Sequence, residues 1–314
     1  MATYQTYTAI GMREDLSDVI YNISPTDTPF MSTIGKTKAT AVYHEWQTDS
    51  LAAAGLNVAV EGATASDATM SPTSRVGNRC QISQKTIKIS GTLNAVDKAG
   101  RKSEKAYQLA KASAEIKRDM ELTLLSNQIA TDGNSSTARA LGGLQAWLST
   151  TYSGGTSGVA GSGGTTARTN GTNRTFTEAM LQTVVKSVYT AGGNAKVLMV
   201  TPAGKQTVSG FAGIAAQRYM APTNAPTTII GAADVYLSDF GTLSVVPNRF
   251  MNSTNSADDV AFVIDPDMAA IAYLRPFQTN ELAVTGDNEA TQLLAEFTLE
   301  VKNEAAHGII ADLS

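Results

Sequence analysis

The chain has 314 residues, of which 42% are hydrophobic and 17% charged, with a net charge of −4. That length allows two ordinary domains or one elongated subunit, the apolar content excludes a disordered chain, and the acidic balance excludes a generally basic nucleic-acid binder. One cysteine, Cys80, excludes an intramolecular disulfide, two histidines exclude a His-rich metal site, and no apolar run is long enough for a membrane span.

In chain order, residues 1–22 read as an extended arm with one short helix around Leu16, Val19 and Ile20. Their start has neither a basic opening nor a continuous apolar core, so no signal peptide and a cytoplasmic origin are expected. Pro25 and Pro29 then bracket Thr26, Asp27 and Thr28, the setting for a tight turn followed by a helical turn, with Phe30, Met31 and Ile34 as an apolar latch. Residues 38–50 alternate as a strand, with Val42, His44 and Trp46 on one side. Residues 51–74 carry almost no large side chain, and 75–92 alternate again with β-branched Ile82, Thr86, Ile87 and Ile89. This predicts a protruding hairpin whose tip lies on a neighbouring molecule.

Residues 101–130 contain neither proline nor glycine. Leu109, Ile116, Met120 and Leu124 line one face, and the pairs Lys111/Glu115 and Lys117/Glu121 the other, which predicts a helix of about 45 Å acting as a strut. Residues 141–147 form a short apolar return. The Gly/Ser/Thr-rich run 150–175 reads as a mobile, unburied loop. A helix at 177–189, a buried strand at 196–201, a helix at 204–219, a β pair at 235–237 and 243–247, and a strand at 260–264 give a compact α/β unit over 177–275. Strands are expected at 271–274, 281–284 and 293–301. In the last, Glu296, Thr298 and Glu300 face one way and Phe297, Leu299 and Val301 the other, as in a sheet with one solvated side. Gly308 bends the chain into a closing strand.

Catalytic patterns are weak. Ile34-Gly35-Lys36-Thr37 ends like a phosphate loop, but Phe30 stands where that loop needs glycine. His44-Glu45 lacks the second zinc-binding histidine, and Cys80 with His44 reads as packing before a thiol–histidine pair. Asp265 and Asp267, like Glu296 and Glu300, lack convergent partners, and no nucleophile elbow occurs. No enzyme, cofactor or metal is expected.

Three motifs carry a resemblance: Ile23 to Phe30 (ISPTDTPF), His44-Glu45-Trp46 with Asp49, and Asn303-Glu304-Ala305-Ala306-His307-Gly308. With the order of elements they resemble the tailed-phage major capsid proteins of the Hong Kong 97-like fold, and among these the phage SU-ten family. The resemblance implies an α+β fold. It comprises an N-terminal arm (1–37), an extended loop (38–92), a peripheral domain with its spine helix (93–176, returning at 276–302) and an axial domain (177–275, with a closing strand in 303–314). It further implies a shell subunit that assembles through hexamers and pentamers around double-stranded DNA contacted non-specifically, in the bacterial host cytoplasm. Implied partners are other copies, a portal protein, a separate scaffolding protein and, in some shells, decoration proteins, with no membrane. Pro25, Asp27, Thr28, Pro29, Phe30, Trp46, Asn303, Glu304, His307 and Gly308 are the expected inter-subunit or hinge residues. An encapsulin-like compartment subunit shares the fold and is the first alternative. A carbohydrate enzyme using the Gly/Thr-rich loop is a second alternative, and a tail-tube or decoration protein a third.

Overall fold

The computed structural model describes residues 27–62, 64, 67–68, 70–96, 102–211, 234–251 and 259–314. The expected arm 1–22, Pro25 and residues 212–219 of the second expected axial helix lie outside these described residues.

After a short helix α1 (Pro29–Thr33) come β1 (Gly35–Lys38), β2 (Tyr43–Thr48), β3 (Ser74–Arg79) and β4 (Gln81–Ser90). Next follow α2 (Gly91–Ala95), the long α3 (Glu104–Leu125), α4 (Leu144–Trp147) and β5 (Tyr152–Ser153). The middle of the chain holds α5 (Glu178–Thr190), β6 (Val197–Val200), α6 (Pro202–Ser209), β7 (Val235–Ser238), β8 (Gly241–Pro247) and β9 (Asp259–Ile264). The end holds β10 (Ala269–Glu281), β11 (Asn288–Val301) and β12 (Gly308–Leu313). Two larger sheets organise these elements, a first in the order β1-β10-β11-β4 and a second in the order β5-β12-β9-β6-β8-β7, and β2 and β3 form a separate two-stranded ladder.

Strands β12, β9 and β6 of the second sheet are buried on both faces, and strand alternation divides their side chains between two cores. Leu198, Val200, Val263 and Ile310 pack with Leu181, Val184 and Val188 of α5. Val197, Met199, Phe262 and Ile309 face the other way, into a core shared with Ile116, Met120 and Leu124 of α3 and with Ala295 and Phe297 of β11. The two sheets therefore share one apolar interior.

The long helix is shorter than expected, Glu104–Leu125, or about 33 Å. Ser103 caps its start by accepting from the Ala106 N–H, and the Ser126 hydroxyl donates back to the Thr123 carbonyl at its end. Beyond that point the Asn127 and Gln128 amides bond neighbouring segments instead of continuing a helix. Of the expected surface pairs, Lys111 and Glu115 meet at 4.0 Å. Glu121 does not face solvent toward Lys117: it is fully buried. Its carboxylate accepts from the backbone N–H groups of Phe30 (2.7 Å) and Met31 (2.9 Å) and from the Asn248 amide (2.7 Å). Burial pushes this carboxyl above its ordinary value, and those three donors pull against it.

The expected second hairpin strand, 75–92, is two strands. It breaks at buried Cys80, whose N–H donates to the Val42 carbonyl. The first part, β3, pairs with β2, and the second part, β4, joins β11 in the first sheet. Residues 271–274 and 281–284 are likewise not two strands: β10 runs unbroken from Ala269 to Glu281, with register shifts between Tyr273 and Gln278.

The Glu296/Glu300 face of β11 is not solvated. The base of the β2–β3 hairpin covers it, with His44 Nε2 3.1 Å from Glu300 and Trp46 packed 5.5 Å from Trp147. Glu296 is buried between Arg139 and Arg275, each at 2.7 Å. Asn78, fully buried, bolts this base down. Its amide donates to the carbonyls of Gly142 (3.0 Å) and Leu299 (2.8 Å), and its oxygen accepts from the Gly142 N–H (2.8 Å). Asn78→Ala leaves those buried backbone groups unpartnered and is expected to lower the stability of the unassembled subunit by about 2–3 kcal/mol, read by urea unfolding; a loss within a few tenths would refute the bolt.

Candidate functional site

The polypeptide crosses from one sheet to the other at two neighbouring places. Residues 265–268 lead from β9 to β10, and residues 302–307 lead from β11 to β12. His307 is fully buried between these crossovers. Its Nδ1 accepts from the Asp265 N–H (3.3 Å), and its Nε2–H donates to the Met268 carbonyl (3.2 Å). Those partners define a neutral imidazole protonated on Nε2. The Lys302 N–H adds a bond to the same Met268 carbonyl (3.0 Å).

The rest of the Asn303–Gly308 motif secures the turn. Asn303 accepts from the Ala305 N–H, as an N-cap does. Glu304 accepts from the backbone N–H groups of Ser149 (3.0 Å) and Thr150 (3.1 Å) and from the Thr150 hydroxyl. The Thr151 hydroxyl donates to the His307 carbonyl. Gly308 lies against α5 so closely that a Cβ there would collide with Val184. The motif thus joins the two sheets to each other and to the start of the 150–175 segment.

The other motif residues gather at the root of the arm. Asp27 is exposed, Thr28 precedes α1 without a side-chain cap bond, and Pro29 takes the first helical position, where its missing N–H costs nothing. Phe30 is fully buried beside α3. Trp46 lies apart, on the hairpin base. The structure therefore brings the ten expected residues, Pro25 excepted, to three places: arm root, hairpin base and sheet junction.

Segment 150–175 is not a mobile loop. Its Arg168 and the strand residue Asp312 form an ion pair of 2.7 Å with both side chains fully buried. Asp312 has φ 58° at a bulge in β12, which aims its carboxylate into the segment, where it also accepts from the Gly155 N–H (2.7 Å). Burial pushes the Asp312 carboxyl up, but the Gly155 and Gly171 amides and the Arg168 guanidinium outweigh it and hold the group below its ordinary value. Arg174 binds the Ala311 and Ser153 carbonyls. The glycines serve close approach: a Cβ at Gly161 would lie 2.7 Å from the Ala146 Cα.

Asn78, Arg168, Asp312 and Asn248 were not singled out by the sequence reading, and Glu121 was read only as a surface partner of Lys117. A carboxylate inside the apolar ending GIIADL is the one signal that could have pointed to a buried partner. Among the described residues no cluster of His, Cys, Asp or Glu could hold a metal, and no helix is long and apolar enough to cross a membrane. Cys80 donates to the Ala41 carbonyl, and burial pushes its thiol up to about 11, which suits packing and opposes nucleophilic use. Ile34-Gly35-Lys36-Thr37 leads into and forms most of β1, an edge strand parallel to β10.

The architecture is that of a Hong Kong 97-like capsid subunit. The cyanophage A-1(L) capsid matches it at TM-score 0.70 with 12% identity, over 96% of this chain and 97% of that one. A Gordonia phage Cozz structure matches at 0.62 with 11% identity over 99% and 98%. The SrpI encapsulin complex of Synechococcus elongatus matches at 0.57 with 9% identity over 100% and 97%. The major capsid protein of Escherichia phage Phieco32 is 30% identical over an alignment 354 positions long, covering 98% of this chain and 96% of that protein. The chain matches the SU10 major capsid protein family over residues 1–314 and belongs to it.

Burial holds the His307 imidazole below its ordinary value of 6.5, against the opposing pull of the Met268 carbonyl, Asp265 and Glu304. A depressed base binds fewer protons folded than unfolded, so its contribution is whole above pH 6.5 and is lost as pH falls below it. Denaturant unfolding of the subunit is expected to show a loss approaching about 1.4 kcal/mol per pH unit below that point. His307→Gln should start less stable at pH 7.5 and lack this slope; an unchanged slope would contradict the junction.

Proposed function

We propose that this chain is a structural shell subunit without catalytic activity, which assembles through hexamers and pentamers into an icosahedral capsid around phage double-stranded DNA. The observation that carries this reading is the stretch leading out from β2. Leu51, Leu56, Val58 and Val60 are 80–99% exposed, and nothing among the described residues covers them. Four large apolar side chains held in water gain nothing from folding of an isolated molecule and favour burial against another. Membership in a capsid family supplies the partner, other copies of the same chain, and contacts between different patches on successive copies generate rings.

In this reading residues 1–37 are the arm and 38–92 the extended loop, with the β2–β3 ladder as its rigid base. Residues 93–176 and 276–302 form the peripheral domain, and 177–275 and 303–314 the axial domain. Pro25 to Phe30 would set the direction in which the arm leaves α3, and Asn303 to Gly308 would hold the angle between domains. Portal, separate scaffolding and decoration proteins are further proposed partners, and assembly in the bacterial host cytoplasm is proposed with them. An encapsulin-like role shares the fold, but family membership favours the phage shell.

Sedimentation followed by negative-stain microscopy tests the reading. Closed polyhedral shells, or rings of five and six, are the expected products. A chain lacking residues 2–26, a deletion that stops short of α1 and buried Phe30, is expected to fold but to close shells poorly or misshapenly. A protein that stays monomeric or dimeric at every salt and pH tried would overturn the reading.

A further inference from the structure

Asn170 is the one asparagine in the chain that glycine follows. Glycine has no Cβ to shield its backbone nitrogen, so in an Asn-Gly pair that nitrogen reaches the preceding side-chain amide with the least hindrance. Asn170 is exposed, and its pair lies in the 150–175 segment that Arg168 and Asp312 hold in place.

The fold keeps the Gly171 nitrogen from reacting. Its N–H donates to the Asp312 carboxylate, which also accepts from the Gly155 N–H and the Arg168 guanidinium, each at 2.7 Å. Attack requires this nitrogen to lose its proton, and a carboxylate at that proton opposes the negative charge left behind. The backbone on either side is pinned as well. Thr169 and Val159 exchange N–H···O bonds of 2.9 and 3.0 Å, the Thr172 N–H donates to the Thr156 carbonyl (2.9 Å), and the Arg174 N–H to the Asp312 carbonyl (2.8 Å). Little room is left for rearrangement, since a Cβ on Gly171 would lie 2.8 Å from the Gly155 carbonyl oxygen and 2.9 Å from Asp312 Oδ2.

We propose that Asn170 is a site of spontaneous deamidation, kept shut by the Asp312 contact to Gly171 and opened only when segment 150–175 leaves its place. In the opened segment the Gly171 nitrogen gives its proton to hydroxide and attacks the Asn170 side-chain carbonyl carbon. The bond from that carbon to the amide nitrogen breaks, the nitrogen takes a proton from water and leaves as ammonia, and a cyclic imide remains. Water then opens either carbonyl of the ring, giving aspartate or isoaspartate; nothing is oxidised or reduced. Isoaspartate adds a methylene to the main chain between Thr169 and Gly171, so the backbone bonds on the two sides can no longer form together. Either product also places a second carboxylate one residue from the Asp312 contact, where like charges repel. The reaction thereby turns a reversible opening of the segment into a permanent one. This inference stands independently of the shell reading.

The test incubates the full chain at mildly alkaline pH, with and without urea, and follows the peptide spanning residues 169–174 by mass spectrometry. Conversion at Asn170 should be at least about a hundredfold slower in the folded subunit than in urea, and slowed by the same factor as hydrogen exchange of the Gly171 amide, because both need the same opening. Asp312→Asn, shown to be folded by circular dichroism, should convert faster than the parent chain. Equal rates in folded and unfolded chains, or no conversion at Asn170 even in urea, would overturn the proposal. So would free exchange of the Gly171 amide in a folded chain whose Asn170 stays intact, or a folded Asp312→Asn variant that converts at the parent rate. Where that variant does not fold, the urea and exchange comparisons on the parent chain decide.

Discussion

The neutral imidazole of His307 pins the two places where the chain crosses between the sheets. Two sheets of different strand order must act as one body, and the chain passes between them twice. His307 accepts from one end of the 265–268 crossover and donates to the other, from a position inside the second crossover. Glu304 ties the same turn to Ser149 and Thr150, so the long segment that follows α4 starts from a defined place. A charged imidazole would be costly in this fully buried position, which is why the geometry specifies the neutral form.

From that junction outward, polar groups inside the apolar interior decide which segments are fixed. Glu121 holds the first turn of α1, Asn78 holds the hairpin base, and Asp312 with Arg168 holds the 150–175 segment. Each is a long-range contact, joining residues 90 or more positions apart for Glu121 and more than 140 for Asn78 with Leu299 and for Arg168 with Asp312. The fixed body ends where such anchors end. Beyond Thr48 the chain has no comparable bolt among the described residues, and its apolar side chains stand in water. That contrast between an anchored base and an uncovered tip is what a subunit needs if it is to be completed by its neighbours.

The legible part of the fold was the part governed by periodicity. The apolar spacing of Ile116, Met120 and Leu124 revealed α3, the helix expected at 177–189 corresponds to α5, and the alternation of Phe297, Leu299 and Val301 revealed β11. The three motifs revealed the family. Periodicity could not show that Cys80 ends one strand and starts another, because alternation continues through it while the pairing partner changes. It could not show that Glu296 and Glu300 are covered, since a carboxylate under arginine and histidine has the same pattern as one in water. Composition misled most at residues 150–175: glycine serves close packing as readily as flexibility, and the decisive partner, Asp312, lies 144 residues from Arg168.

Hydrogen exchange, compared between unassembled subunits and shells, tests the central claim most directly. In both states the amides around the sheet junction, Asp265 to Met268 and Glu304 to Gly308, should exchange slowly, while residues 49–62 exchange freely in the subunit and become protected in the shell. Protection of 49–62 already in the isolated subunit, or rapid exchange at the junction in either state, would contradict a body fixed at His307 and completed by its neighbours.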